Sequence, residues 1–143
     1  VSGANNTIAL VPSTTVSANG TSTPVDGLSR LRDLFGGWEV SAVPTGGAPT
    51  LDVYLQTTFD GGTTWQDIAH YQFTTSAVKR LFSICGSVAG PTTSVAPSDA
   101  ALSGDTVVQG PWGDKLRAKW VFAAGGSTGS YTLAGFVVGK TGT

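Results

Sequence analysis

Apolar and polar residues alternate with a period of two along much of the chain. In Thr50–Phe59, TLDVYLQTTF, Leu51, Val53 and Leu55 lie on one face; Asp52, Tyr54 and Gln56 lie on the other. Lys115–Ala123, KLRAKWVFA, repeats the pattern. Leu116, Ala118, Trp120 and Phe122 point one way, and Lys115, Arg117 and Lys119 the other. Trp65–Phe73, WQDIAHYQF, follows the first strand after a tight turn. Ser130–Lys140 becomes apolar on both faces towards its end, as a central strand or one packed on a partner does. Trp38–Val43, Val78–Ile84, Asp105–Gly110 and Thr7–Val11 are weaker candidates. Clusters of Gly, Pro, Ser and Thr separate these stretches. The spacing predicts an all-β fold: a single-domain antiparallel β-sandwich, jelly-roll-like, of about eight strands.

Three segments depart from that rhythm. In Leu28–Phe35, LSRLRDLF, the i, i+3 spacing of Leu28, Leu31 and Leu34 fits one short helix, and the stretch fits equally the start of the strand through Trp38. Ser87–Asp105 has the composition of a long surface loop. Residues 1–24 are rich in Ser, Thr, Asn and Gly, with Ile8–Val11 their short apolar run. They read as an N-terminal arm reaching a neighbour or as an edge strand of the chain's own sheet, with residues 25–143 forming the sandwich domain.

Charge narrows the function classes. Charged residues make up 12% of the 143, and the formal net charge is -1. No basic field is present to hold nucleic acid by counterion release. No run reaches the length of a membrane-spanning helix, and the N-terminus lacks the basic start and apolar core of a secretory signal. Cys85 is the sole cysteine and has no intrachain disulfide partner; among apolar neighbours it reads as a small buried hydrophobe. A sandwich with open edges and little charge is expected to form a symmetric homo-oligomer, a trimer or dimer.

The densest motif is TTFDGGTTWQDI, Thr57–Ile68. Thr58, Asp60, Gly62, Thr64 and Trp65 fill every defined position of the Asp-box pattern, Ser/Thr-x-Asp-x-Gly-x-Thr-Trp/Phe. These residue types suit a hairpin turn. An aspartate accepts bonds from the N–H groups of its own turn. Glycine takes positive φ without steric cost. A tryptophan covers the turn with apolar surface. The motif also recurs in sialidase propellers, but those need several four-stranded blades, for which this chain is too short.

Thr50–Thr75, TLDVYLQTTFDGGTTWQDIAHYQFTT, resembles a segment that recurs in small structural proteins of tailed double-stranded DNA bacteriophages. Such proteins include β-sandwich or jelly-roll proteins that decorate or cement capsids. The resemblance covers about 26 residues and is compositional elsewhere. It implies a virion role without identifying which part of the virion; taken with the low charge, the absent catalytic groups and the polar N-terminal arm, it points to a capsid decoration or cement protein on the virion surface, made in the host cytoplasm. The implied partners are the major capsid protein and further copies of the chain. It brings no functional residues with it. A tail, neck or fibre-associated virion protein is the alternative within the same class.

Candidate chemistry is sparse. His70 is the only histidine and sits mid-strand, where it reads as a cross-strand polar side chain. Glu39 is the only glutamate, and no carboxylate pair suits glycoside hydrolysis. Asp99 and Asp105 read as solvated loop carboxylates, so neither a metal nor a cofactor is expected, and no enzymatic role. A carbohydrate-binding module is the remaining alternative class. Of the tryptophans, Trp120 and Trp65 read as packed, and the exposure of Trp38 is open. Trp112, in the Pro-Gly turn QGPWGDK, is the candidate for a partner or glycan contact, against the reading that its ring folds back over the end of the sandwich.

Overall fold

The computed structural model describes residues 5–141, and nine strands account for its regular structure. They are β1 (Asn5–Val16), β2 (Gly20–Thr21), β3 (Asp33–Ala42), β4 (Thr50–Thr58), β5 (Gln66–Phe73), β6 (Lys79–Cys85), β7 (Thr106–Val107), β8 (Lys115–Ala123) and β9 (Tyr131–Lys140). One sheet has the order β1-β9-β3-β6 and the other β2-β8-β4-β5-β7, all pairs antiparallel. Setting aside the two-residue β7, this is an eight-stranded jelly roll: two four-stranded sheets, the chain crossing between them at every connection but the β4–β5 hairpin. Strands β4, β5, β8 and β9 begin and end within one residue of their expected bounds.

The core lies between the sheets. Trp38, Leu34, Phe82, Ile84 and Leu133 from one layer meet Leu51, Val53, Leu55, Phe73 and Leu116 from the other. Gly135 makes room for the largest of these side chains. A Cβ there would stand 2.6 Å from the Trp38 ring.

Leu28–Phe35 is neither a helix nor wholly strand. Leu28–Leu31 is a turn closed by Leu31 N–H on the Leu28 carbonyl (3.1 Å), and β3 begins at Asp33. Neighbouring segments take up the backbone: Leu28 N–H donates to Asp114 O, just before β8, and Arg32 N–H donates to Lys140 O at the end of β9. The leucine spacing reflects burial of Leu28, Leu31 and Leu34 as a plug at the end of the sandwich. Asn5–Val16 pairs with β9 along its length as the edge strand of its sheet, with Leu10, Val11 and Val16 in the core. Residues 1–4 of the proposed arm lie outside the described residues.

The edges are guarded within the chain. β1 carries Pro12 and two register shifts. β2 and β7 are two residues long. At β6 the Gln109 side-chain amide takes the place of a neighbouring strand. Its Nε2 donates to Ser83 O and its Oε1 accepts Cys85 N–H, both at 2.8 Å. Gly110 N–H adds a bond to Cys85 O. These bonds draw the chain after Val107 towards β6, so β7 is much shorter than the expected Asp105–Gly110.

Candidate functional site

The β4–β5 hairpin places Thr58, Asp60, Gly62, Thr64 and Trp65 in one turn. Thr58 Oγ1 donates to Asp60 Oδ1 (2.9 Å) and accepts Gly62 N–H (3.0 Å). The same carboxylate oxygen accepts Thr64 N–H at 2.8 Å. Gly62 sits at φ 109°, a conformation closed to most side chains. Trp65 is buried, and its Nε1 donates to Gly62 O (3.1 Å). The Arg117 guanidinium covers its ring, 4.2 Å from the centroid. The Thr64 backbone bond, followed by bonds from the Thr64 and Thr58 side chains, lowers the Asp60 carboxyl pKa to about 2. Every one of the Asp60 partners lies within the turn itself.

A second aspartate, seven positions on, is bound differently. Between Leu55↔Ala69 and Gln56↔Asp67 the register slips, leaving Ile68 as the extra residue of a bulge. The slip sets Asp67 opposite Gln56, and both are fully buried. Asp67 accepts the consecutive backbone N–H groups of Ala100 (3.0 Å), Ala101 (2.8 Å) and Leu102 (3.1 Å). It also accepts Ser98 Oγ (3.1 Å) and Gln56 Nε2 (2.8 Å). Ala100 takes φ 58°, which turns those amides inward as an anion-binding nest. Gln56 Nε2 also reaches Asp99 (2.7 Å), and its Oε1 accepts Arg117 Nε (2.8 Å). Lys119 Nζ bonds Asp99 at 2.8 Å, the chief cause of a lowered Asp99 pKa. The loop between β6 and β7 is thus fastened across the outer face of β4 and β5, which is why the polar face of β4 is buried too.

His70 belongs to the same fastening. Its Nδ1 lies 2.7 Å from Leu102 O and its Nε2 2.8 Å from Asp52 Oδ1, while its ring stacks on Tyr54 at 4.1 Å. Burial, and then the charges of Asp52 and Asp67, push the Tyr54 phenol up. Cys85 is half-buried with Ser87 Oγ 3.4 Å from its sulfur. Among the described residues no three His, Cys, Asp or Glu side chains converge as metal ligands would.

Trp112 takes the folded-back one of its two readings. It is 7% exposed, and its Nε1 donates to Leu28 O at 2.9 Å. Gly113 N–H is tied to Thr57 Oγ1 (2.8 Å), so the chain entering β8 is pinned and folds the indole back over the end of the sandwich. It offers no platform to a partner or glycan. The exposed aromatic beside the hairpin is instead Phe59, 68% exposed at the variable position before Asp60. With Val95, Val108 and three prolines it lines a groove of about 490 Å³ between the hairpin and the loop. The glutamine and buried aspartate side chains along that groove are spent. Gln66 bonds Ser98 N–H and Asp67 O, Gln109 caps β6, and Asp67 is saturated.

No family model and no curated protein sequence matches the chain. Among solved structures it is similar to a chain described as the structure of infectious bursal disease virus Gx strain, with TM-score 0.47 and 13% identity over 96% of this chain. The match spans about a third of that chain's length (32%). At that score the likeness bears on neither topology nor role.

Proposed function

We propose that the chain is a non-enzymatic structural protein of a virion, and specifically a decoration or cement protein on the capsid of a tailed double-stranded DNA bacteriophage. One observation carries the reading. The hairpin that resembles the phage segment, Thr50–Thr75, commits its polar groups to its own turn and to the Ser98–Leu102 loop, and leaves Phe59 exposed beside an apolar groove. Polar side chains committed to holding backbone are poorly placed for turnover. Rigid loops beside exposed apolar side chains suit docking. With Trp112 buried, the carbohydrate-binding alternative loses its candidate platform.

The proposed partners are the major capsid protein and further copies of the chain, with no cofactor. A cement protein binds the assembled shell in preference to free subunits and stabilises it by mass action. The test is copy number and position in purified virions. Hundreds of copies on the shell are expected. A few copies at one vertex would move the protein to the tail or neck, and absence from virions would end the proposal.

A further inference from the structure

The outer faces of the two sheets differ. That of β4 and β5 is polar and lies under the protein's own loop. That of β3, β6 and β9 is apolar at its centre and, among the described residues, uncovered. Side chains alternate along β3, so Leu34, Trp38 and Val40 enter the core while Asp33, Phe35, Gly37 and Glu39 face outward. The register sets these in rows across the strands. Val138, Phe35 and Ser83 form one row; Phe136, Gly37 and Leu81 form the next. Phe35 is 47% exposed and Leu81 58%. Leu81 and Phe136 lean together over Gly37, where a Cβ would meet them at 2.8 and 3.0 Å. Charged rows close both ends: Lys140 and Asp33 at one, Glu39 and Lys79 at the other.

We propose that this face binds a second copy of the chain about a two-fold axis. The axis lies in the interface, perpendicular to the strands, and passes over the row Val137–Gly36–Phe82. The register itself selects that axis. A rotation about it lays the Phe35 row of one copy on the Gly37 row of the other. Phe35 then meets the seam between the partner copy's leaning leucine and phenylalanine, and the small Ser83 meets the large leucine. The same rotation brings the Asp33–Lys140 end over the Glu39–Lys79 end. At each end two carboxylates lie between two lysines, one strand to either side. A single operation therefore matches large side chains to small ones and balances the charges. Sheets packed face to face at about 10 Å are an ordinary arrangement.

Strand-edge pairing is the competing route to a dimer, and the guarded edges oppose it. The area sets the strength. Four strands by seven residues cover roughly 400 Å² per copy, about half of a standard interface, so the dimer forms at high concentration and is crowded into existence on a surface. The inference concerns the free protein and does not rest on the virion reading. A protein absent from virions leaves it standing, and a protein monomeric in solution leaves the virion reading standing.

Sedimentation velocity from micromolar to millimolar concentration tests it. A concentration-dependent dimer is expected. Phe35→Asp and Leu81→Asp should each weaken it at least about tenfold, with melting temperatures confirming the fold. Val95→Asp, on the loop of the other sheet, should leave it unchanged. Lys79→Cys tests the register, because the axis sets residue 79 over Cys85 of the partner copy. A short bis-maleimide should link copies of that variant and fail on Lys79→Cys/Cys85→Ser. A monomer throughout, a dimer indifferent to both aspartate substitutions, or cross-linking that survives Cys85→Ser overturns the proposal.

Discussion

Asp60 and Asp67 stand seven residues apart in one hairpin, and both accept several hydrogen bonds. Their partners differ in kind. Asp60 is exposed and bonds residues within four positions of itself. Asp67 is fully buried and bonds a loop 31 to 35 positions away. A carboxylate at a turn surface keeps much of its hydration, so losing it costs little. A carboxylate enclosed by amide donors has given up water entirely, and so have the donors around it. The local site organises one turn; the remote one joins a loop to a sheet.

The largest effect follows from that difference. Asp67→Ala leaves the amides of Ala100, Ala101 and Leu102 and the Ser98 hydroxyl without acceptors in a buried space. A loss of about 3–5 kcal/mol is expected in urea unfolding. Asp67→Asn keeps the shape and loses less. A loss under 1 kcal/mol for Asp67→Ala would mean that the nest opens and rehydrates freely, and the comparison with Asp60 would collapse.

Coupling gives a sharper, smaller measure. Gln56 and Asp67 share a hydrogen bond and a common set of partners. A double-mutant cycle of Gln56→Ala with Asp67→Ala should show an interaction of about 1–3 kcal/mol. The cycle of Asp60→Ala with Asp67→Ala should be additive, since the two sites have no hydrogen-bond partner in common. Strong coupling in the second cycle would show that the turn and the nest are one unit.

Asp60→Ala alone should lower the melting temperature by only a few degrees. Hydrogen exchange in the loop around Ser98–Leu102 should stay as in the parent protein. Under Asp67→Asn the same amides should exchange faster. If Asp60→Ala released that loop, the local reading of the hairpin would be wrong.

The two aspartates also differ in what the sequence could reveal. The partners of Asp60 lay open to reading because they stand within four residues of it. The alternation of β4 and β8 was readable because each strand buries one face between the sheets. The burial of Gln56 and Asp67 was not, because it depends on a bulge at Ile68 and a distant loop, and neither leaves a periodic mark. Trp112 was left with two readings for a related reason. A Pro-Gly setting marks a turn but says nothing of where the ring goes, and the Leu28 carbonyl that receives it is 84 positions away. Phe59 was an available signal: a large apolar residue where a hairpin turn has no core to bury it in.

The smallest predicted effect is the pH dependence of the turn. The folded Asp60 carboxyl has its pKa near 2, against an ordinary 3.8. A depressed pKa means that the folded state favours the ionised form. Its contribution is complete above the ordinary value and disappears as the pH falls through the folded one. Melting temperature should therefore fall between pH 4 and about 2 by an increment that Asp60→Asn removes. Asp99, whose pKa is lowered chiefly by its bond from Lys119, acts in the same direction. The absolute acid profile is therefore a sum, and the difference between the parent and Asp60→Asn isolates the turn. Full exposure keeps that difference small, and salt should leave it nearly unchanged because hydrogen bonds rather than distant charges produce it. A difference that grew above pH 5, or that vanished in moderate salt, would place the cause in charge–charge attraction and not in the Thr58–Thr64 turn.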